Sequence, residues 1–322
     1  MDGGKAQNTA NLGEKIIIKE LTPKDANDLI KAGFPFHKGV LIQKPIRGLL
    51  QATKLFSRST KLVAYDVKEK LAIGFLCLEE NTPSLNSIKF VFTNPRFRKR
   101  GVATGLINFA LLLAKERGAK KVHLDVKYEA PQVIQLYEKI GFRMIGHTMM
   151  GQGYISRFPH LRMIGHTMMG QGYISRLRVK KKGQLISLST RSKKTKDSLY
   201  SIYQLFMNKK WKEFFNINPD NFINGHIPDW QSFFFRDVFV NDQFNSFVLV
   251  FNRPFFSDAT VEMYGDSKAI VTSMLDELMK ILYKRGISYI NIKVFNFNDK
   301  FSYWCKEKGL EIYQFVNMGK IL

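Results

Sequence analysis

In the first half of the chain, short apolar runs rich in β-branched and aromatic residues alternate with longer, helix-spaced ones. Ile16 to Lys19 opens with a β-branched run. Thr22 then stands before Pro23 as an N-cap stands before a first-turn proline, so the pattern predicts a strand followed by a helix. KLVAY (61–65) and LAIGFLCL (71–78) read as strands joined by the turn-like DVKEK. SIKFVFT (87–93) reads as a third strand, ended by Asn94-Pro95 because proline cannot continue a ladder. RFRKRGVATG then leads into a long apolar helix reaching about Arg117, with Gly118 as its C-cap. VHLDV (122–126) is a further strand, Pro131 to Lys139 a further helix, and Gly141-Phe142 closes it. Strand, helix, strand, helix at this spacing describes a βαβ unit with one face of its parallel strands covered.

The second half repeats that grammar. DSLYSIYQLFM (197–207) is helix-like, and strands are predicted near RDVFVN (236–241), SFVLVF (246–251) and ATVEMY (259–264). SKAIVTSMLDELMKILYKRG predicts a helix before the strand ISYINIKVF (287–295), another helix passes through Trp304, and Gly309-Leu310 precedes a final strand. The shared order argues for two copies of one α/β fold built on a mixed α+β sheet.

Between the halves, RMIGHTMMGQGYISR occurs at 143–157 and again unchanged at 162–176. Fifteen identical residues do not survive long divergence, so this reads as a recent tandem duplication rather than a solenoid. The unit reads as a strand, a turn at Gly151 and Gly153, and a second strand. One copy fills the hairpin slot beside the first sheet; the other is an extra hairpin, a linker, or an edge that swaps between chains. Arg176 to Lys196 follows, with nine Lys or Arg and no acid. The chain thus divides into a polar leader at 1–15, a first domain over 16–157, the duplicated hairpin and basic linker at 158–182, and a second domain over 183–322.

Composition narrows the class. Hydrophobic residues at 45% rule out general disorder and leave enough side chains for a sizeable core. The longest strongly apolar run, Leu106 to Ala114, is far short of the ~20 residues a membrane span needs, so no membrane partner is expected. The leader lacks an apolar stretch of the secretory type. Cys77 and Cys305 lie far apart, and the six histidines have no ligand spacing, so neither a disulfide framework nor a metal is expected and a reducing, cytoplasmic setting fits. His147 and His166 are duplicates of one another and take no role. Fifty Lys plus Arg against twenty-seven Asp plus Glu give +23, which points to an anionic partner.

The chemistry concentrates at Arg98-Lys99-Arg100-Gly101-Val102-Ala103, directly between a strand and a helix. Gly101 and Ala103 let the backbone approach a ligand closely. The free N–H groups and dipole of the helix N-terminus favour anions, and the basic side chains reinforce them, which makes a pyrophosphate cradle. Upstream stands Val91-Phe92-Thr93-Asn94-Pro95; downstream, Tyr137 lies thirty-six residues past Gly101, just before Gly141-Phe142.

This combination resembles the GNAT superfamily of N-acetyltransferases. Arg98 to Ala103 matches the R/Q-x-x-G-x-G/A motif, LYEKIGF (136–142) the closing helix and strand start, and IIIKELTPKDANDL the opening. The resemblance covers roughly residues 16–157 and extends to 177–322 in element order only, where EMYGDSKAIV lacks the basic-glycine signature. It implies a GNAT-like fold in two tandem copies, the second degenerate and non-catalytic.

The resemblance further implies acetyl-CoA as co-substrate and direct transfer to a primary amine in a ternary complex. The backbone of Val91, Phe92 and Thr93 would hold the pantetheine arm and polarise the thioester carbonyl. Arg98, Lys99, Arg100, Gly101, Val102, Ala103 and Thr104 would hold the pyrophosphate. Tyr137 matches the phenol that protonates the departing thiolate; a pKa near 10 suits that exchange with a thiol near 8.5. The reading of Tyr137 as a core residue on an amphipathic helix stays open. Two departures stand out: Ala130 occupies a position that is often Asn, and Ser87 to Phe92 carries no Glu to act as base. Asp125 and Glu129, or Glu79 and Glu80, are the carboxylates left for that task, through water where needed, although each also reads as a surface or pairing carboxylate.

Leu29 to Tyr65, where the family shapes its acceptor site, contains no acid and seven Lys or Arg, so a neutral or acidic acceptor is expected. Two other readings compete. One is a nucleic-acid-associated protein using the basic linker and the aromatics Tyr200, Tyr203, Phe206, Trp211, Phe214 and Phe215, which also read as core at their helical spacing. The other is a CoA sensor without turnover. For the second domain the roles open are covering the acceptor cleft, binding the acceptor, or homodimerisation.

Overall fold

The structure, a computed structural model, describes residues 10–11, 16–35, 58–154, 186–188, 193–207, 209–216, 235–240, 246–252, 258–265, 272–295 and 299–322. The second copy of the duplicated segment, most of the basic linker, and residues 36–57 of the acid-free stretch lie outside them.

The first half runs β1 (Ala10–Asn11), β2 (Ile16–Glu20), α1 (Pro23–Lys31), β3 (Arg58–Asp66), β4 (Leu71–Thr82), β5 (Leu85–Thr93), α2 (Val102–Glu116), β6 (Lys121–Lys127), α3 (Pro131–Lys139) and β7 (Arg143–Tyr154). The second runs β8 (Ile186–Leu188), α4 (Lys193–Phe206), α5 (Lys209–Phe215), β9 (Phe235–Val240), β10 (Ser246–Asn252), β11 (Asp258–Gly265), α6 (Thr272–Lys284), β12 (Tyr289–Phe295), α7 (Asp299–Glu307) and β13 (Glu311–Ile321). Thr22 caps α1 as expected, in a reciprocal capping box with Asp25: Thr22 N–H donates to Asp25 Oδ2 at 2.9 Å, and Asp25 N–H donates to Thr22 Oγ1.

All the described strands join one sheet in the order β1-β2-β3-β4-β5-β6-β13-β7-β12-β11-β10-β9-β8. Apart from β1 and α5, the described elements of the two halves follow the same order. Lys121 to Tyr289, Pro131 to Asp299, Gly118 to Gly286 and Gly141 to Gly309 keep one constant spacing along the chain. Their last strands are exchanged: β13 of the second half lies beside β6 of the first, and β7 of the first lies beside β12 of the second. An antiparallel β7–β13 pair forms the centre of the sheet. Neither half completes its sheet alone.

Each half buries a helix on this sheet. In the first, α2 packs Leu106, Ile107, Ala110 and Leu113 with Leu76, Ile88, Val122 and Leu124 in one cluster, joined by Val316 and Met318 of β13. In the second, Leu275, Leu278, Met279 and Leu282 of α6 cluster with Val261, Ile290 and Ile292. Tyr203, Trp211 and Phe214 are buried in a third cluster with Val238, Leu249 and Tyr264, so these aromatics form core rather than a stacking surface for bases.

The first copy of the duplicated segment corrects the expected hairpin. Arg143–Tyr154 is one strand running through Gly151 and Gly153 without a turn. Gly151 is there because α7 comes too close for a side chain: a Cβ would stand 2.5 Å from Cys305 Sγ and 3.2 Å from Phe301. A glycine needed for close approach carries the same letter as one needed for a turn.

Candidate functional site

The sheet opens at one place in the first half. β5 and β6 run parallel and pair through three rungs, Leu85–Lys121, Asn86–Val122 and Ser87–His123, after which β5 continues to Thr93 without that partner. On its other side β5 stays paired to β4, but the register shifts between Phe75–Phe92 and Cys77–Lys89, and Phe90 takes φ +57°. This bulge re-aims the end of the strand. Asn94 N–H donates to the Ile73 carbonyl of β4 at 2.8 Å. Strand period two therefore turns the peptide groups of Val91 and Thr93 the other way, toward the opening. The Thr93 hydroxyl is buried with no hydrogen-bond partner among the described residues.

Below the opening the chain turns into α2. Asn94 Oδ1 accepts from Arg96 N–H at 3.1 Å and starts a 3-10 turn over Pro95–Phe97, with Phe97 buried as its anchor and Arg100 over the Phe97 ring at 5.1 Å. Lys99 and Gly101 then take φ +60° and +79° around the exposed Arg100. Gly101 is the N-cap of α2, with no side chain capping it and no acid in the first turn. The N–H groups of Val102, Ala103 and Thr104 thus form an uncapped positive helix end. A Cβ on Gly101 would meet no atom within 4 Å, so backbone conformation, not crowding, requires glycine there. Crowding decides at Gly74 of β4, where a Cβ would stand 2.7 Å from Val102; this contact fixes the start of α2 against the sheet.

The candidate catalytic residues separate in character. Tyr137 on α3 is buried and meets Phe142 edge-on at 5.7 Å. Burial pushes its phenol up to about 12, away from the near-match with a thiol that a free phenol offers. Asp125 sits on β6 two residues past the last rung, on the strand face opposite the Val122, Leu124 and Val126 that pack with α2. Part of its surface is open, yet protein surrounds it closely. That crowding raises its carboxyl pKa, but Lys89, His123, Lys293 and a hydrogen bond from Asn317 outweigh it and hold the group below the ordinary carboxylate range. Glu129 is exposed in the turn after β6. Of the other carboxylates, Glu80 is tied to Arg117 at 2.9 Å, and Glu79 lies on β4 opposite Ser87. Ala130, without a side-chain cap bond, precedes Pro131 at the start of α3.

Asn317 and Thr148 escape any reading of the sequence. Asn317 Nδ2 donates to Asp125 Oδ1 at 2.7 Å, and Thr148 Oγ1 donates to Asn317 Oδ1 at 2.7 Å. No local signal links residues so far apart in the chain; the exchanged strands bring them together.

Among the described residues the second half shows no such opening. β11 and β12 stay paired through six rungs, from Asp258–Tyr289 to Met263–Val294. Cys305 stands on α7 where Tyr137 stands on α3, each two residues before the helix ends. Among the described residues no group of His, Cys, Asp or Glu could hold a metal ion, and no helix is long and apolar enough to cross a membrane.

Comparison with known proteins agrees with this geometry. The model of the acetyltransferase (GNAT) family matches residues 38–142. An uncharacterized N-acetyltransferase of Methanocaldococcus jannaschii is 44% identical over 76 residues, 22% of this chain and 34% of the relative. The mycothiol acetyltransferase of Corynebacterium glutamicum is 31% identical over 96 residues, 29% of this chain and 32% of the relative. The chain thus matches about a third of the length of each. Along nearly the whole molecule the fold is similar to that of a GCN5-related N-acetyltransferase from Sphaerobacter thermophilus, with TM-score 0.56, 11% identity and 97% of both chains covered.

Proposed function

We propose that the chain, whose residues 38–142 match the acetyltransferase (GNAT) family model, transfers the acetyl group of acetyl-CoA to a primary amine at the first-half opening. The observation that carries the reading is the parting of β5 from β6 beyond Ser87–His123, directly above the uncapped start of α2.

Bound acetyl-CoA would supply an acetyl thioester. The outward peptide groups of Val91 and Thr93 bind and polarise it; the backbone and bases from Arg98 to Thr104 hold its pyrophosphate. The amine must be neutral to attack. Asp125, ionised and immobile, accepts a hydrogen bond from it and orients its lone pair. A carboxylate held below its ordinary range is a poor final home for a proton, so the proton leaves through water toward exposed Glu129 and solvent. Tyr137 enters the step protonated, donates to the departing sulfur as the C–S bond breaks, and regains a proton from solvent once CoA leaves as the thiol. The Lys- and Arg-rich segment ahead of β3 favours a neutral or acidic acceptor and disfavours polyamines.

Calorimetry with acetyl-CoA on wild type and Gly101→Glu tests the reading, since that change puts bulk and negative charge into the cradle. One-to-one binding lost in the variant is expected. A folded wild type that does not bind would overturn it. Acceptor class follows from a panel of glycinamide, glutamate and spermidine, in which spermidine as the best acceptor would contradict the expected preference.

A further inference from the structure

We propose that Asn317, a residue of the second half, is a positioning residue for the first half's site: with Thr148 it fixes the Asp125 carboxylate at the mouth of the β5–β6 opening. The inference rests on the proposed acetyl transfer and adds a working role for the second half.

Three strands make the chain of contacts. Thr148 on β7 donates to Asn317 on β13, which donates to Asp125 on β6, both bonds at 2.7 Å. Asn317 and Thr148 are 3% and 7% exposed, so neither polar group has bulk water as an alternative partner. The direction of the relay is set by chemistry. An ionised carboxylate only accepts, so the Asn317 amide must present Nδ2 to Asp125 and Oδ1 to the Thr148 hydroxyl, which donates. The reverse amide orientation would set oxygen against oxygen. The carboxylate plane is therefore held from behind by a group that cannot rotate without losing both bonds, while its remaining lone pairs stay available for an incoming amine.

The sheet explains why the second half must supply this group. Beyond Ser87–His123, β6 has lost β5 on one side, and on the other side its neighbour is β13. Asn317 lies directly opposite Asp125 in that ladder, with Val316–Val126 and Met318–Leu124 as the flanking pairs. The charges that act on Asp125 are Lys89 on β5, His123 on its own strand and Lys293 on β12. Lys127, also on β6, is directed over the Tyr313 ring at 5.3 Å. Lysine charges act over distance with little directionality; among the side chains named around Asp125, Asn317 supplies the short, directional bond.

The test is a carbon-detected titration of the Asp125 carboxyl on the full chain, in wild type, Asn317→Leu and Thr148→Val, with acetyl-CoA affinity measured on each. Leucine keeps the branching of Asn317 at a somewhat larger volume and removes both hydrogen bonds; valine matches threonine and removes only the lock. The expected result is an upward shift of the Asp125 titration in Asn317→Leu and a smaller shift in the same direction in Thr148→Val, with acetyl-CoA affinity retained. With glycinamide as acceptor, kcat should fall roughly tenfold or more in Asn317→Leu, the scale of one hydrogen bond to a charged group. That fall should vanish in an Asp125→Asn background, because the residue acts through Asp125. An unmoved titration in both variants, or an equal loss of kcat in the Asp125→Asn background, would overturn the inference. If Asn317→Leu does not fold, Thr148→Val alone decides. Failure of the acetyl-transfer reading shows separately, as a folded wild type that does not bind acetyl-CoA.

Discussion

Glu262 and Lys293 stand beside each other on adjacent parallel strands, with Lys293 Nζ 3.5 Å from Glu262 Oε1, where the first half has Lys89 and Asp125 on strands that have parted. The charges are reversed between the halves. Tyr264 adds a 2.9 Å hydrogen bond to the other Glu262 oxygen. An ion pair thus bridges neighbouring strands of the second half at the level where the strands of the first have parted.

One equivalent of acetyl-CoA per chain is therefore expected. The second half keeps β11 zipped to β12 through Met263–Val294 and, among the described residues, presents no divergence for a pantetheine arm. Titration calorimetry or equilibrium dialysis reads the stoichiometry, and two equivalents per chain would contradict the closed second site.

Gly101→Ala separates backbone strain from steric block. No atom lies within 4 Å of the new methyl, so any loss of stability comes from holding alanine at φ +79°, at about 1–2 kcal/mol. A modest fall in Tm with a folded chain is expected, alongside weaker acetyl-CoA binding than wild type. Unchanged Tm would mean that the loop leaves the left-handed conformation without cost.

Much of this arrangement is legible in the sequence. The strands and helices around Gly101 follow from apolar runs and from Pro95, Gly118 and Gly141, and the cradle from basic residues beside a glycine at a strand–helix junction. What the sequence conceals is pairing across long distances. The exchange of β7 and β13 and the relay from Thr148 through Asn317 to Asp125 depend on sheet order, which no local pattern encodes. The parting of β5 and β6 is equally hidden, because it depends on where hydrogen bonding stops rather than on which residues are present.

Tyr137→Phe should lower kcat by about 100-fold, the usual worth of a placed proton donor, without changing the shape of its pH dependence. A phenol raised to about 12 stays protonated from pH 6 to 9, so its removal subtracts the same contribution throughout. Phenylalanine keeps the edge-on contact with Phe142, and Tm should hold. A pH–rate profile that loses one limb in the variant would assign the titration to Tyr137 and contradict its raised pKa.

Stability should fall in alkali earlier than tyrosine ionisation alone would bring. Burial raises both Cys77 and Cys305 from 9.0 to about 12, and Glu79 adds to the effect at Cys77. The unfolded chain therefore loses these protons first, and the native state resists losing them. Stability is full below about pH 9 and declines as pH rises toward 12. Thermal melts between pH 8 and 11 read the decline, and both thiols should resist a disulfide reagent until the chain is unfolded.

Gly151→Ala tests the contact that makes β7 a continuous strand. Its methyl would stand 2.5 Å from Cys305 Sγ, so α7 must move or the strand must buckle, at about 1–3 kcal/mol. Cys305→Ala removes that sulfur and leaves a small cavity of its own. The two changes together should then cost less than their separate costs added, because each fills or frees the same space. Denaturant melts of the two single variants and the double variant measure the coupling. Strict additivity would show that α7 does not rest on β7 at Gly151, and the glycine would then need another explanation.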